Sequence, residues 1–485
     1  MRTTTLTLAG GLAATAAAAE TIHGVLVLTR HGDRTTKHYG AQQLTALGAQ
    51  QCFQSGDFYR SRYLSASSPY HISGINGEQY SRAQIYATAP DQDILLNTAT
   101  AFLQGLYPPL NSDEFTATLT NGTKVSSPLS NYQYVTLHGV SNASPDTIWL
   151  KGDESCPAAT KAQASYKQSE QYASLLKSTK PFYERMHPYV SSVLPDYALA
   201  SSLSYEKAYD IFDLINVASI HNVTSAAEAK NIPAEDLFQL RVLADSAEFN
   251  TNYNASQADR HIGARALAGT VLTHLSETVT KGNRKFTLLA GSYDTFLSWF
   301  GWTELTSVDA NFYGLPAYAG TMVFEVFTSD DANEEKRVRW LFRNGTEEGA
   351  ELKQFPLFGK GKPDLSWTEF EETLKAKGSI GGAQEWCGAC GSKEEFCKVY
   401  GTGGEGEGVK VQSAGGMDGK EIAGIVLIVV GGLALLAAGA MFVLVNNLRK
   451  KNHNKTTQVM IMPGGKGFED SERGSFRNSD EKGTV

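Results

Sequence analysis

Positive charge is scarce in this sequence. Forty-three Lys and Arg stand against 51 Asp and Glu among 485 residues, giving a net charge of −8 and a pI near 5.8. That balance excludes a chain built to grip nucleic acid through its phosphates. Cysteine is scarcer still, at five residues: Cys52, Cys156, Cys387, Cys390 and Cys397. Cys387-Gly-Ala-Cys390 has the spacing of a zinc or redox pair, but no second pair or nearby histidine accompanies it, so no metal or cofactor site is indicated. Long hydrophobic runs are few, and they lie near the two ends. The remainder, 41% hydrophobic overall, has ample material for a core and the length of two or three average domains or one large α/β domain.

Residues 1–19 read as a secretory signal. Arg2 supplies a basic start, Leu6 to Ala18 is small and apolar, and Ala17-x-Ala19 forms a cleavage site ahead of Glu20. An uncharged, alanine-rich structural helix is the other reading. Ile422 to Val445 is 24 residues without a charge, long enough to cross a bilayer. Lys420 and Glu421 precede it, whereas Arg449, Lys450, Lys451 and Lys455 follow. The positive-inside rule therefore puts residues 446–485 in the cytoplasm and the large portion outside or in a lumen. A cleaved glycolipid-anchor signal is the rival, and the polar tail after the span argues against it. The tail carries +3, leaves −11 for the rest, and has the composition of a disordered segment. Residues 399–421 are expected to form a Gly-rich, flexible linker. Five glycosylation acceptors, Asn121, Asn142, Asn222, Asn254 and Asn344, fall between signal and span, in agreement with export. The expectation is a single-pass type I membrane protein of the secretory pathway. Oligomeric state is not legible.

The chemistry concentrates in Val25-Leu26-Val27-Leu28-Thr29-Arg30-His31-Gly32-Asp33-Arg34. The apolar run reads as a buried strand, and Gly32 allows a tight turn that brings backbone close to a ligand. Two arginines able to fork onto phosphate oxygens flank an imidazole at the carboxyl end of that strand, where open α/β sheets place ligands. Arg30-His31-Gly32-x-Arg34 resembles the signature of the histidine acid phosphatase branch of the histidine phosphatase superfamily (clade 2). Thr36 departs from it, standing where the family usually carries proline. The resemblance implies a phosphoglycerate-mutase-like α/β fold, a mixed sheet flanked by helices, with an inserted helical cap. It also implies that His31 attacks phosphorus, that Arg30 and Arg34 hold the phosphoryl oxygens, and that no metal is needed. The chain is similar to fungal-type, membrane-anchored members of that family, with the phosphatase-like domain over residues 20–398 and the cap over about 110–263.

Further along, Thr45 caps a helix reaching Leu64, with Leu44, Leu47, Phe53 and Tyr63 at helical spacing. Gln84–Ala89 reads as a second strand, followed by a helix that stops at Pro108-Pro109. In the family this unit supplies a third phosphate-binding arginine, and the matching residue here is Ile94. A later strand, Phe286–Ala290, leads into Gly291-Ser292-Tyr293-Asp294-Thr295. The family pattern there is His-Asp-Thr, so Asp294 matches the proton donor and Thr295 the threonine, while Tyr293 replaces a phosphate-binding histidine. Read by itself, Asp294 also fits a helix N-cap. The resemblance pairs Cys156 with one of Cys387, Cys390 and Cys397 and leaves the other two to pair locally, while Cys52, on the first helix with its buried-looking face, is expected to be free. The expected function is hydrolysis of small phosphomonoesters at an altered phosphate site. The alternatives are a non-catalytic surface glycoprotein that binds an anion and, against export, a phosphoglycerate-mutase-type transferase.

Overall fold

The computed structural model describes residues 20–401, except 39, 111–114, 194–202 and 330–334. The expected signal, transmembrane span and cytoplasmic tail, and nearly all of the linker, lie outside these residues. Among the described residues no helix is long and apolar enough to cross a membrane.

Strand β1 (Thr21–Arg30) is the pivot of the sheet. Its apolar run is buried on both faces because alternate side chains serve different cores. Leu26 and Leu28 pack with Phe296, Trp299 and Phe324, while Val25 and Val27 pack with Tyr59, Phe102 and Phe286. The other strands are β2 (Ile85–Pro90), β3 (His138–Val140), β4 (Phe286–Gly291), β5 (Thr321–Thr328), β6 (Arg337–Arg343), β7 (Lys353–Phe355) and β8 (Asp364–Ser366). They order as β8-β6-β5-β1-β4-β2-β3, with β7 on β6. β1, β4, β2 and β3 run parallel, and β5 to β8 add antiparallel pairs. In this register Arg30 lies opposite Gly291, which brings the Arg-His-Gly turn beside the residues that follow β4.

The helix after β1, α1 (Ala46–Tyr59), begins as expected, with Thr45 Oγ1 accepting the Gly48 N–H at 3.0 Å. Its buried face is not the one that hydrophobic spacing indicates. Leu47 and Phe53 are 43% and 37% exposed, whereas Gly48, Cys52, Gly56 and Tyr59 face inward. The cause is backbone packing against α2 (Asp93–Leu106). A methyl group on Gly56 would fall 1.9 Å from the Phe102 carbonyl oxygen, and one on Gly105 would fall 2.1 Å from that of Phe53. Glycine thus takes the contact positions, and the large residues turn outward. The helix also ends early, because Arg60–Leu64 forms one wider π turn.

The cap boundary needs correction as well. Residues 138–140, placed in the cap by sequence, form β3 and cover the open edge of β2, whose backbone groups need partners. The helices over the site are α3 (Pro157–Ala164), α4 (Glu170–Ser178), α5 (Lys180–Val193), α6 (Ala208–His221), α7 (Val223–Ala229) and α8 (Ala234–Asn252). Between α3 and α4 the chain restarts at Ser169, which caps α4 by accepting the Tyr172 N–H at 3.1 Å. The cap has its own core, which includes Tyr183, Met186, Ile211 and Leu240. Then α9 (Ile262–Thr280) and α10 (Tyr293–Trp302) return to the sheet. Asn121, Asn142, Asn222 and Asn344 are exposed and Asn254 is half-buried.

Cys156 is bonded to Cys390 and Cys387 to Cys397, while Cys52 is free and buried. The first bridge closes a span of 234 residues. We expect Cys390→Ser to lower unfolding stability by about 2–5 kcal/mol, measured by chemical denaturation under non-reducing conditions.

Candidate active site

The end of β1 and the turn after it bury four side chains, Arg30, His31, Asp33 and Arg34, around Gly32. Gly32 is required by proximity, since a methyl group there would lie 2.2 Å from the Gly48 carbonyl oxygen. His31 Nδ1 sits 2.8 Å from the Gly32 carbonyl oxygen. With Nδ1 donating that bond, Nε2 keeps its lone pair. Burial holds the imidazole well below the usual histidine range, and the charges of Arg30 and Arg34 add to the effect. Both effects favour the neutral imidazole.

The two arginines are fixed differently. Arg34 is fully buried and makes a forked pair with Asp213 of α6, with N–O distances of 2.9 and 3.2 Å, and its Nη2 donates to Tyr209 Oη at 2.8 Å. Arg30 donates to the Pro316 carbonyl and lies over the rings of Tyr318 and Tyr293, at 4.7 and 5.2 Å. Among the described residues, Arg30 Nε and Arg34 Nε have no hydrogen-bond partner. Two buried cationic donors beside an imidazole with a free nitrogen form an anion site. Asp33, the variable position of the motif, has a structural task. Its Oδ1 accepts from Thr45 Oγ1 and lies 2.5 Å from His221 Nε2 at the end of α6.

The second half of the site follows β4. Ser292 is the N-cap of α10, so Asp294 sits inside the first turn and is not the cap. Burial pushes its carboxyl above the usual range, with Lys37 opposing. Asp153 is also near, and burial together with the Asp294 charge pushes it up to about 7. Tyr293 is 5% exposed and donates its hydroxyl to Glu248 of α8 at 2.8 Å, while Lys37 Nζ lies 3.1 Å from the same oxygen. Thr295 is 4% exposed in the same turn. Ile94, where an arginine was looked for, is buried in the apolar cluster with Leu95 and Ala290. Beside the site a cavity of about 710 Å³ lies under the cap, walled partly by Tyr166, Tyr172, Tyr205, Tyr209, His38 and Glu248.

Residues 37–343 match the sequence profile of the histidine phosphatase superfamily, branch 2. The chain belongs to that superfamily. Curated relatives include the lysosomal acid phosphatase of Xenopus laevis, 25% identical over 66% of this chain and 69% of that one. The prostatic acid phosphatase of Homo sapiens is 22% identical over 72% and 84%. Among solved structures, the multiple inositol polyphosphate phosphatase of Bifidobacterium longum in complex with inositol hexasulfate covers 76% of this chain and 95% of that one, with 12% identity and a TM-score of 0.51. That likeness concerns the fold.

In this member of the superfamily, the fold brings Arg30, His31, Arg34, Tyr293, Asp294 and Thr295 to the ends of β1 and β4. Lys37, Asp153, Tyr209, Asp213, Glu248 and Tyr318 also belong to the site and were missed by sequence reasoning. They arrive from cap helices and loops, and no local pattern marks them. Lys37 was the exception within reach, three residues after Arg34. Asp213 supplies the countercharge for a fully buried guanidinium. We expect Asp213→Ala to destabilise the protein by about 3–5 kcal/mol, with Asp213→Glu milder, as measured by thermal and denaturant unfolding.

Proposed function

We propose that this protein is an acid phosphatase acting on small phosphomonoesters through a phosphohistidine. The observation that carries the reading is the neutral, buried His31, with Nε2 free, between two arginines that retain unpartnered donors. His31 Nε2 forms a bond to phosphorus as the ester P–O bond breaks, and Asp294 gives its proton to the leaving oxygen. Water then attacks phosphorus, the N–P bond breaks, and Asp294 recovers a proton. Arg30 and Arg34 offset the charge that builds on the phosphoryl oxygens, as preorganised donors do. Tyr293 and Thr295 line the same pocket, and Tyr293 serves as a neutral hydrogen-bonding group.

Four tyrosines supply much of the lining of the cavity beside the site, together with Lys207 and with Lys167, which faces Glu206 at 3.2 Å. Hydropathy and charge at the chain ends further support a secreted domain tethered by Ile422–Val445, with residues 446–485 cytoplasmic.

Three expectations follow for aryl-phosphate turnover by the full-length protein. His31→Ala removes at least about 10³-fold of the activity, and equal background rates in both proteins would leave a non-catalytic, anion-binding glycoprotein. The pH optimum is acidic. His31 stays neutral there because its pKa is depressed, whereas Asp294 loses its needed proton as pH rises through its elevated pKa. Asp294→Asn should cut kcat by about 10²–10⁴.

A further inference from the structure

We infer that Lys37 is the third phosphate-binding cation of this site, standing in for the guanidinium that Ile94 cannot supply. The inference deepens the phosphatase reading and rests on the same anion pocket.

Three observations converge on this residue. The first is position. Lys37 leaves the motif loop three residues after Arg34, and its ammonium lies 4.6 Å from the centre of the Tyr293 ring and 5.2 Å from that of Tyr209. The Arg30 guanidinium lies against the same Tyr293 ring at 5.2 Å, and Arg34 is bonded to the hydroxyl of Tyr209. Both tyrosines therefore carry one motif arginine and Lys37 together. Three cations gather around one pair of rings, next to His31.

The second is the direction of the hydrogen bonds. Tyr293 Oη donates to Glu248 at 2.8 Å, so its lone pairs accept from Lys37 Nζ at 3.1 Å. Burial and the Glu248 charge keep that phenol protonated. The chain Lys37 to Tyr293 to Glu248 orients the ammonium with one of its three hydrogens spent on a neutral oxygen. Two donors remain for an incoming anion. Tyr293 thus acts as the perch for a cation, which a histidine at that position would not need to be.

The third is electrostatic balance. Arg34 faces Asp213, and Lys37 faces Asp294, Glu248, Asp213 and Arg34. Without Lys37, Arg30 and the paired Arg34 would confront a phosphoryl dianion alongside Asp294 and Glu248. An aliphatic residue at 94 leaves that deficit unmet from the α2 side. Lys37 meets it from the motif loop, by a route that needs no change in the sheet.

Isothermal titration of the full-length protein with inorganic phosphate tests the assignment without relying on turnover. Lys37→Met keeps the aliphatic stem over Tyr293 and removes the charge alone. Its dissociation constant for phosphate should rise about 10- to 100-fold, the range of a lost charge-assisted contact. Lys37→Arg should recover most of the affinity, and Lys281→Ala, an exposed control, should match the wild type. Thermal unfolding of Lys37→Met should coincide with the wild type. Equal phosphate affinity in Lys37→Met and the wild type overturns the assignment. Loss of phosphate affinity in a protein whose wild type shows no His31-dependent turnover keeps Lys37 as an anion ligand and overturns the phosphatase reading alone.

Discussion

The burial of Arg34 is the constraint on which the rest of this structure depends. A fully desolvated guanidinium is tolerable only with a forked carboxylate partner, and Asp213 provides it from α6, 179 residues further along the chain. The pair joins the motif loop to the cap. His221 reaching Asp33 and Asp210 facing His38 tie the same helix to the same loop. The cap is therefore registered on the nucleophile through polar contacts, while its own apolar core lies elsewhere. A helix held this way places Tyr209 on Arg34 and sets one wall of the cavity.

The site itself is a balance of opposite fields. Burial and two arginines favour the uncharged form of His31, and burial raises the carboxyl of Asp294, so the same desolvation acts on both groups in the direction the proposed chemistry needs. Tyr293, where the family resemblance led to an expected histidine, adds its own partners around this balance. Its hydroxyl draws in Glu248 from α8 and Lys37 from the motif loop, and its ring carries Arg30. A substitution that reads in isolation as a lost phosphate ligand becomes, in the folded protein, the meeting point of two cations and a carboxylate.

Backbone proximity is the second organising force. Gly32, Gly48, Gly56 and Gly105 each sit where a side-chain carbon would strike another segment's main chain. These contacts press α1 onto the motif turn and α2 onto α1, which is why Leu47 and Phe53 face solvent despite their helical spacing. Hydrophobic periodicity assigns faces on the assumption that large side chains make the contacts. Where glycine makes them, the assumption fails. The same geometry explains the reach of the motif: the turn is narrow because α1 lies directly behind it.

The sequence alone determined the elements whose cause is local. The four-residue apolar run of β1, the Thr45 cap, the strand before Tyr293-Asp294 and the Arg-His-Gly turn all follow from neighbours a few residues apart. The family resemblance, carried by the same short motifs, also indicated which cysteine crosses the domain. Tertiary structure decided what depends on partners far along the chain. It gave Asp213 to Arg34, Glu248 to Tyr293 and Asp153 to Asp294, made residues 138–140 a sheet edge in place of cap, and turned the glycine face of α1 inward. The physical reason is the same in each case. Charge compensation and backbone contact act over a few ångströms in space with no fixed separation in sequence, so only the folded chain specifies which residues supply them.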